Sequence, residues 1–341
     1  MHDFYSDTKT RPTAAMRQAM LDAAVGDEQK GEDPTTRALE ERVADVLGKE
    51  AAVFLPSGTM CNQIALAVHT RPGDEVIGDR TCHIVNSEGG APAALWGAMI
   101  RTLDGDHGVY QPEQVAEAIR PKSRYAPPSR VLCAEQTANL AGGAIWPLET
   151  LNAVSRVAKQ AGLATHMDGA RLMNAVVATG IPARDYAAGF DSVWIDFTKG
   201  LGAPVGAVLA GSRDFIDAAW NHKQRLGGAM RQSGVIAAMC SHSLDHHVDR
   251  LAQDHALAAS IAARIAGMPG VERVLPAPTN IVIFDLKPKV PDAAALVGLL
   301  RQDGVIVGQF GPRRIRVVTH LDVDAAAGEA LCAALGRNLG P

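Results

Sequence analysis

The sequence predicts an α/β protein: a large domain with a mostly parallel central sheet flanked by helices, followed by a smaller α/β domain. From residue 74 onward, apolar runs and amphipathic segments alternate at intervals of roughly 25–30 residues, the spacing of βαβ units. Two of the apolar runs end close to a carboxylate, Asp168, and an amine, Lys199. The chain has 341 residues, more than one core usually holds. We therefore expect two domains.

The composition is that of a soluble globular protein, with 47% hydrophobic and 21% charged residues. A net charge of −4 gives no basic field for nucleic acid or an anionic membrane, so we expect small-molecule partners. The five cysteines are odd in number and lie among apolar residues, which is typical of reduced thiols. No basic-then-apolar leader follows Met1, and no apolar run is long enough to span a membrane. These features predict a cytoplasmic location.

The N-terminal region divides into an arm and two helices. Residues 1–12 are polar and aperiodic, so we interpret them as an arm. Thr13 is a typical N-cap for the first helix. An acidic loop at 25–34 follows, and Asp33-Pro34 opens a second helix, which Gly48 ends in the usual C′ position.

A short buried strand at 51–55 turns sharply into a predicted helix at 60–69. Gly58 lets a ligand approach the backbone, Thr59 offers a hydroxyl, and Met60 lies in the first helical turn. The unpaired N–H groups and the positive end of the helix dipole at such a turn suit a phosphate. The same residues also serve as an ordinary helix cap, so the pattern alone leaves both interpretations open.

Strands and helices continue to alternate after this turn. A long helical segment at 234–268 leads to the smaller domain, and we place the large domain at 13–245 and the small domain at 246–341. The remaining predicted strands are 75–78, 98–103, 130–134, 163–165, 192–195, 206–210, 280–284, 305–307 and 315–318, and the remaining helices are 113–119, 148–161, 292–302 and 324–339.

Asp168 and Lys199 follow the strands 163–165 and 192–195. If these strands are parallel, both side chains reach the carboxyl-end edge of the sheet, where open α/β sheets bind ligands. The small residues around Lys199 leave room for a planar ligand, which favours a Schiff-base lysine. Asp168 would then pair with a pyridinium nitrogen, as pyridoxal 5′-phosphate (PLP) requires. Taken singly, each residue also fits a plain surface lysine or a helix-capping aspartate.

Four histidines suggest a metal site at first sight. His242 and His246 are four residues apart on a predicted helix, with His247 and His255 nearby. No carboxylate or cysteine completes a zinc spacing with them, so we interpret them as solvated or capping residues and predict no metal.

The sequence resembles a known family over nearly its whole length. It is similar to the low-specificity L-threonine aldolases, PLP-dependent enzymes of fold type I, the fold of aspartate aminotransferase. The matching segments, in the family's order and spacing, are 6–8 with 10–12, 31–35, 58–59, 83 with 88–90, 166–171, 198–204, 228–234 and 316–320.

The resemblance implies an aldolase that cleaves β-hydroxy-α-amino acids of the threonine, allo-threonine or phenylserine type reversibly to glycine and an aldehyde. It also implies PLP as cofactor and a homo-oligomer, dimer or tetramer, with shared active sites. Lys199 would form the Schiff base, Asp168 would keep the ring nitrogen protonated and His83 would stack on the ring. The implied site residues are catalytic Lys199, His83 and Asp168; cofactor-binding Gly58, Thr59, Met60, His83, Asp168, Arg171, Lys199 and Arg231; and substrate-binding Ser6, Arg171, Arg316, Ala138 and Lys30.

Three positions depart from the family pattern. Ala138 replaces a histidine near the substrate hydroxyl, Lys30 replaces a tyrosine, and Ser87 stands where an aromatic residue is often found. These changes leave two alternatives to the aldolase open, besides neutral drift in the loops. One is a PLP-dependent lyase acting by retro-aldol cleavage or β-elimination on an acidic or bulky β-substituted amino acid. The other is a PLP-binding protein without aldolase activity.

Overall fold

The structure is a computed structural model and describes residues 1–340. The strands are β1 (His2–Asp3), β2 (Ala51–Leu55), β3 (Glu75–Asp79), β4 (Met99–Leu103), β5 (Ser129–Glu135), β6 (Ala164–Asp168), β7 (Ser192–Asp196), β8 (Ala207–Gly211), β9 (Val271–Val274), β10 (Ile281–Leu286), β11 (Val305–Ile306), β12 (Gly308–Gln309) and β13 (Arg314–Val318).

The α-helices are α1 (Ala14–Leu21), α2 (Pro34–Leu47), α3 (Gly58–His69), α4 (His83–Asn86), α5 (Ala91–Trp96), α6 (Pro112–Ala118), α7 (Leu148–Gln160), α8 (Leu172–Thr179), α9 (Ala183–Ala187), α10 (Arg213–Arg225), α11 (Gly234–His246), α12 (Leu251–Ala266), α13 (Ala293–Gln302) and α14 (Ala325–Leu339). Short 3-10 turns lie at Asp7–Lys9, Glu28–Lys30 and Asn139–Ala141.

The predicted helix starts at Thr13 and Asp33 are confirmed, and the helix predicted from residue 60 begins two residues earlier, after Ser57. The side chains of Thr13, Asp33 and Ser57 each accept a backbone N–H from the first turn of α1, α2 and α3. Gly48 ends α2 in the left-handed region, at φ 62°, as predicted.

The central sheet has seven strands in the order β2-β8-β7-β6-β5-β3-β4. Strand β8 runs antiparallel to both of its neighbours, and the other neighbouring pairs are parallel. The prediction of a mostly parallel sheet is therefore confirmed. In the parallel register, Glu135 at the end of β5 lies opposite Asp168 at the end of β6, so the carboxyl ends of the central strands form one edge.

A second, antiparallel sheet has the order β12-β13-β10-β9. The N-terminal arm is more ordered than its polar sequence suggests. Strand β1 pairs in parallel with β11, and Phe4 is fully buried in the hydrophobic cluster around this sheet. Of residues 305–307, predicted as part of the small sheet, Val305 and Ile306 pair with the arm instead, and residues 308–309 join the sheet.

Two large hydrophobic clusters lie along the chain. One runs from Met16 to Leu251, and the other combines Phe4 with residues from Ala258 to Leu339. The helical segment predicted at 234–268 is two helices, α11 and α12. The domain limits at 1–12, 13–245 and 246–341 stay a prediction. Among residues 1–340, no helix is both long and apolar enough to cross a membrane.

Candidate active site

Lys199 and Asp168 lie at the carboxyl ends of adjacent parallel strands. Asp168 is the last residue of β6, and Lys199 lies in the connection that follows β7. The Lys199 amine forms an ion pair with buried Asp196, the last residue of β7. Asp196 Oδ1 also accepts hydrogen bonds from the backbone N–H and the hydroxyl of Thr198, at 2.8 and 2.7 Å. The predicted juxtaposition of strand ends is present, and Asp196 is a further carboxylate there.

Asp168 is held by two hydrogen-bond donors. Its Oδ2 accepts from Asn62 Nδ2 at 2.8 Å, and its Oδ1 accepts from the Ala170 N–H at 3.0 Å. Burial raises the pKa of Asp168, and His83, the Asn62 amide and Lys199 oppose that rise. The carboxylate therefore depends on its neighbours to remain ionised in a buried position.

His83 starts α4 and is fixed by two carboxylates. Its backbone N–H donates to Glu135 Oε2 at 2.7 Å, and its Nδ1 lies 2.7 Å from Glu88 Oε1. Burial lowers the pKa of His83, but Glu88 and Asp168 outweigh burial and the net shift is upward. Potential ligand atoms of His83, Glu88 and Asp168 all lie within 4.8 Å of one another, so the predicted ring-stacking residue and the predicted nitrogen partner are brought together.

The N-terminus of α3 reaches the same strand end. A Cβ atom at Gly58 would overlap the indole of Trp194 in β7, so glycine is required where the helix packs on the sheet. Thr59 is exposed and Met60 is half-buried, packed against Gly228. The first turn of this twelve-residue helix therefore lies beside β7, with the Met60 N–H donated to Ser57 Oγ at 3.2 Å, and the phosphate role of the turn stays a prediction.

Arg171 is already paired within the chain. Its Nε and Nη2 donate to both oxygens of Asp7 at 2.8 and 2.7 Å, and both side chains are buried. Burial raises the pKa of Asp7, but Arg171 outweighs it and holds the pKa well below its usual range. Ser6 lies beside this pair, with its hydroxyl 3.4 Å from Asp7 Oδ1.

Arg316 is buried but incompletely paired. Its Nη1 donates to Asn139 Oδ1 at 2.8 Å, its Nη2 donates to the Tyr5 carbonyl at 3.0 Å, and its guanidinium lies 4.0 Å from the Phe310 ring centroid. Within the described part of the chain, its Nε has no hydrogen-bond partner. Burial and Arg171 lower its pKa to about 10. A buried cation with a free donor suits a carboxylate ligand.

Two predicted site residues are not brought to the group of side chains around Lys199, Asp168 and His83. Arg231 is 62% exposed in its side chain and pairs with Asp27 at 2.9 Å, while Lys30 is exposed in a 3-10 turn. No hydrogen bond or ion pair joins either residue to Lys199 in residues 1–340. Ala138 is buried and directly precedes Asn139. The phosphate and substrate roles of these three residues stay predictions.

Several site residues had no assigned role from sequence. Asn62, Glu135 and Asp196 lie inside or at the end of regular elements, where polar residues are common. Two of the four histidines also make specific contacts, although His247 is the C-cap residue of α11, in line with the interpretation of these residues as solvated or capping. His247 is buried and donates through Nδ1 to the Leu201 carbonyl at 2.7 Å, which supports the Lys199 loop, and half-buried His255 contacts Asn174 at 3.1 Å.

The sheet topology and this lysine–carboxylate edge are those of a fold type I protein. A sequence model of the beta-eliminating lyase family matches residues 3–288. Low-specificity L-threonine aldolase 1 of Arabidopsis thaliana is 39% identical over 325 residues, covering 93% of this chain and 90% of that protein. The low specificity L-threonine aldolase of Escherichia coli (strain K12) is 38% identical over 324 residues, covering 95% of each chain. The chain therefore belongs to the low-specificity L-threonine aldolase family.

The fold agrees with this membership. A solved structure of Leishmania major threonine aldolase superposes with a TM-score of 0.86 at 20% identity, covering 100% of both chains. The predicted family, fold class and enzyme class, a carbon–carbon lyase, are confirmed.

Proposed function

We propose that the protein is a PLP-dependent aldolase that cleaves β-hydroxy-α-amino acids to glycine and an aldehyde. The observation that carries the proposal is the meeting of Lys199, buried Asp168 and the α3 N-terminus at one sheet edge. An amine, a carboxylate and a set of free backbone N–H groups are the three partners that an aldehyde, a pyridine nitrogen and a phosphate require.

These residues fit PLP. Lys199 would hold it covalently, Asp168 would balance its ring nitrogen, and Gly58 with Thr59 would take its phosphate. Asp168 is already supplied with hydrogen-bond donors, at 2.8 and 3.0 Å, that stabilise its charged form. When bound, PLP acts as an electron sink that stabilises negative charge on the substrate α-carbon.

The chain's own arginines would orient the substrate. Arg316 has a free Nε and its guanidinium fork matches a carboxylate, so we assign it the α-carboxylate of the amino acid. Arg171 is fixed by Asp7 and lies close enough to lower the pKa of Arg316. Gripping the carboxylate sets which bond of the α-carbon is aligned for cleavage.

His83 would move the proton of the substrate β-hydroxyl. Its Nδ1 contacts the Glu88 carboxylate, and the side chain is 32% exposed. With Nδ1–H donated to Glu88, the neutral form of the ring keeps a lone pair on Nε2 that can accept a proton. The methyl group of Ala138 cannot form a hydrogen bond to the same hydroxyl, so the proton transfer falls to His83.

We further propose a homo-oligomer, dimer or tetramer, in the cytoplasm. Arg231 and Lys30 are exposed, and among residues 1–340 neither forms a hydrogen bond or an ion pair with Lys199. This favours an active site that a neighbouring subunit completes. Two exposed apolar side chains come shortly before Lys30 in the chain: Leu21, 72% exposed, and Val25, 45% exposed. The five cysteines are buried free thiols, which favours a reducing compartment.

A substrate panel tests the proposed function. Purified protein with PLP is incubated with L-threonine, L-allo-threonine and phenylserine, and glycine and aldehyde are measured, with Lys199→Ala as control. We expect equal amounts of glycine and aldehyde from at least one substrate. Ammonia and an oxo acid without glycine would indicate β-elimination, and no product from any substrate would contradict an aldolase.

A further inference from the structure

A chain of polar side chains leads away from Asp168 toward the first residue of β7 and the last residue of α3. Asn62, His166, Ser192 and His69 follow one another at hydrogen-bond distance, and we call them the positioning chain. The residues come from α3, β6 and β7, and more than 100 positions separate Asn62 from His166. The proposed reaction leaves all four without a part.

The orientation of Asn62 is fixed by Trp194. An indole N–H can only donate, and Trp194 Nε1 lies 2.8 Å from Asn62 Oδ1. The amide nitrogen of Asn62 must then face the two carboxylates, Glu88 at 2.7 Å and Asp168 at 2.8 Å. His166 Nε2 lies 3.0 Å from the same Oδ1 and must therefore donate to it.

The rest of the proton arrangement follows. Burial lowers the pKa of His166 to about 3, so at neutral pH the ring is uncharged and Nδ1 accepts a hydrogen bond. Ser192 Oγ, 2.8 Å away, supplies that proton. With its one proton used, Ser192 accepts from His69 Nε2 at 2.9 Å, and the His69 ring stacks on Phe215 at 4.9 Å. One proton arrangement accounts for all of these hydrogen bonds together.

We propose that the positioning chain holds the Asn62 amide in the one orientation that keeps Asp168 ionised beside the PLP ring nitrogen. This inference rests on the proposed function, because it assigns Asp168 to that nitrogen. A rotated amide would turn its carbonyl oxygen toward two carboxylates and its NH2 group toward the Trp194 N–H. Two donors on Oδ1, from Trp194 and His166, prevent the rotation. Asn62 and His166 are therefore positioning residues.

The pH dependence of PLP binding should report this role. Asn62 is one of the groups that lower the pKa of Asp168 against burial, so removing its amide raises that pKa further. Asp168 then takes up a proton at a higher pH and loses the charge that balances a pyridinium nitrogen. The other charged or titratable groups that interact with Asp168 are His83, Glu88, Glu135, Lys199, Cys61, Cys82 and Cys133.

The experiment titrates PLP into wild type, Asn62→Leu and Ser192→Ala, and follows the absorption band of covalently bound PLP from pH 9 downward. For Asn62→Leu we expect the midpoint of PLP loss to move up by about one pH unit, with affinity about tenfold weaker near that midpoint, as for one lost hydrogen bond to a charge. Ser192→Ala removes the partner of His166 Nδ1 and of His69 Nε2 but leaves Asn62 in place, so we expect a shift in the same direction of about threefold in affinity.

Thr165→Val is the matched control. Thr165 adjoins His166 in β6, and its buried hydroxyl bonds the Gly189 carbonyl at 3.1 Å and Asp191 at 2.9 Å, outside the positioning chain. The Thr165→Val variant should be less stable than wild type but should lose PLP at the same pH midpoint. Wild-type midpoints in Asn62→Leu and Ser192→Ala, or an equal shift in Thr165→Val, would overturn the inference. If Asn62→Leu does not fold, Ser192→Ala decides alone. A wild type that forms no PLP band would refute the proposed function instead.

Discussion

Replacing Arg316 with glutamine should weaken substrate binding, whereas replacing Arg171 with glutamine should weaken the fold. Arg171 uses two of its donors on Asp7, and both partners are buried. Arg316 is held by an amide oxygen and a backbone carbonyl, with Nε unpaired. One arginine therefore completes an internal ion pair, and the other still has capacity for a ligand anion.

The two effects differ in kind and have predictable sizes. A charge-assisted hydrogen bond to a substrate carboxylate contributes about 1.5–3 kcal/mol, so Arg316→Gln should lower kcat/KM roughly 10- to 150-fold. Because the pKa of Arg316 is about 10, the guanidinium is charged at neutral pH and the full effect should appear there. Removing one partner of a buried ion pair costs about 3–5 kcal/mol, so Arg171→Gln should lose that much free energy of unfolding.

Initial rates with L-allo-threonine and urea denaturation of each variant separate the two outcomes. Asp7→Asn should match Arg171→Gln in stability loss, since it leaves the same pair broken. Arg316→Lys should recover only part of kcat/KM, because it restores the charge without the planar fork. Wild-type kcat/KM in Arg316→Gln, or wild-type stability in both Arg171→Gln and Asp7→Asn, would refute this division between the arginines.

Three further predictions concern the loop, a titrating carboxyl group and the assembly. Ala138→His should raise kcat/KM for threonine relative to phenylserine about tenfold, or about 1.4 kcal/mol. An unchanged ratio of the two kcat/KM values would mean that the loop around Ala138 does not determine substrate specificity. Burial raises the pKa of Glu135 from 4.5 to about 7, so the folded protein binds more protons than the unfolded chain in that window, and stability falls as pH rises through it. Glu135→Gln should flatten this slope by up to about 1.4 kcal/mol per pH unit in urea titrations, and an equal slope would argue against the shift. Light scattering at micromolar concentration should give at least twice the monomer mass, and a fully active monomer would contradict the shared site.

The parts that sequence predicted well are those in which local pattern fixes structure. Apolar runs set the parallel strands, capping side chains such as Asp33 set helix starts, and parallel strand ends necessarily place Asp168 and the Lys199 loop at one edge. Two residues taken from the family resemblance, His83 and Arg316, lie around this edge as well, whereas Arg231 and Lys30 do not.

The remainder depends on contacts that no local pattern contains. Asn62 is an ordinary polar residue in a helix until folding sets it against Asp168, 106 positions away. The two-residue strand β1 is too short to show a period, and its order comes from pairing with β11 and from burial of Phe4. Asp196 lies three residues before Lys199 and forms an ion pair with it, and this spacing was a signal available in the sequence.

Absorption spectroscopy of PLP-loaded wild type and Lys199→Ala, with turnover measured on the same samples, tests the central claim most directly. Lys199 is part of a loop, is partly exposed and is not a packing residue, so the variant should keep the wild-type circular dichroism spectrum. We expect wild type to show a band of covalently bound PLP that borohydride bleaches, and Lys199→Ala to show neither this band nor steady-state turnover. A Lys199→Ala protein that retains near wild-type turnover would contradict the assignment of this lysine and of the site built around it.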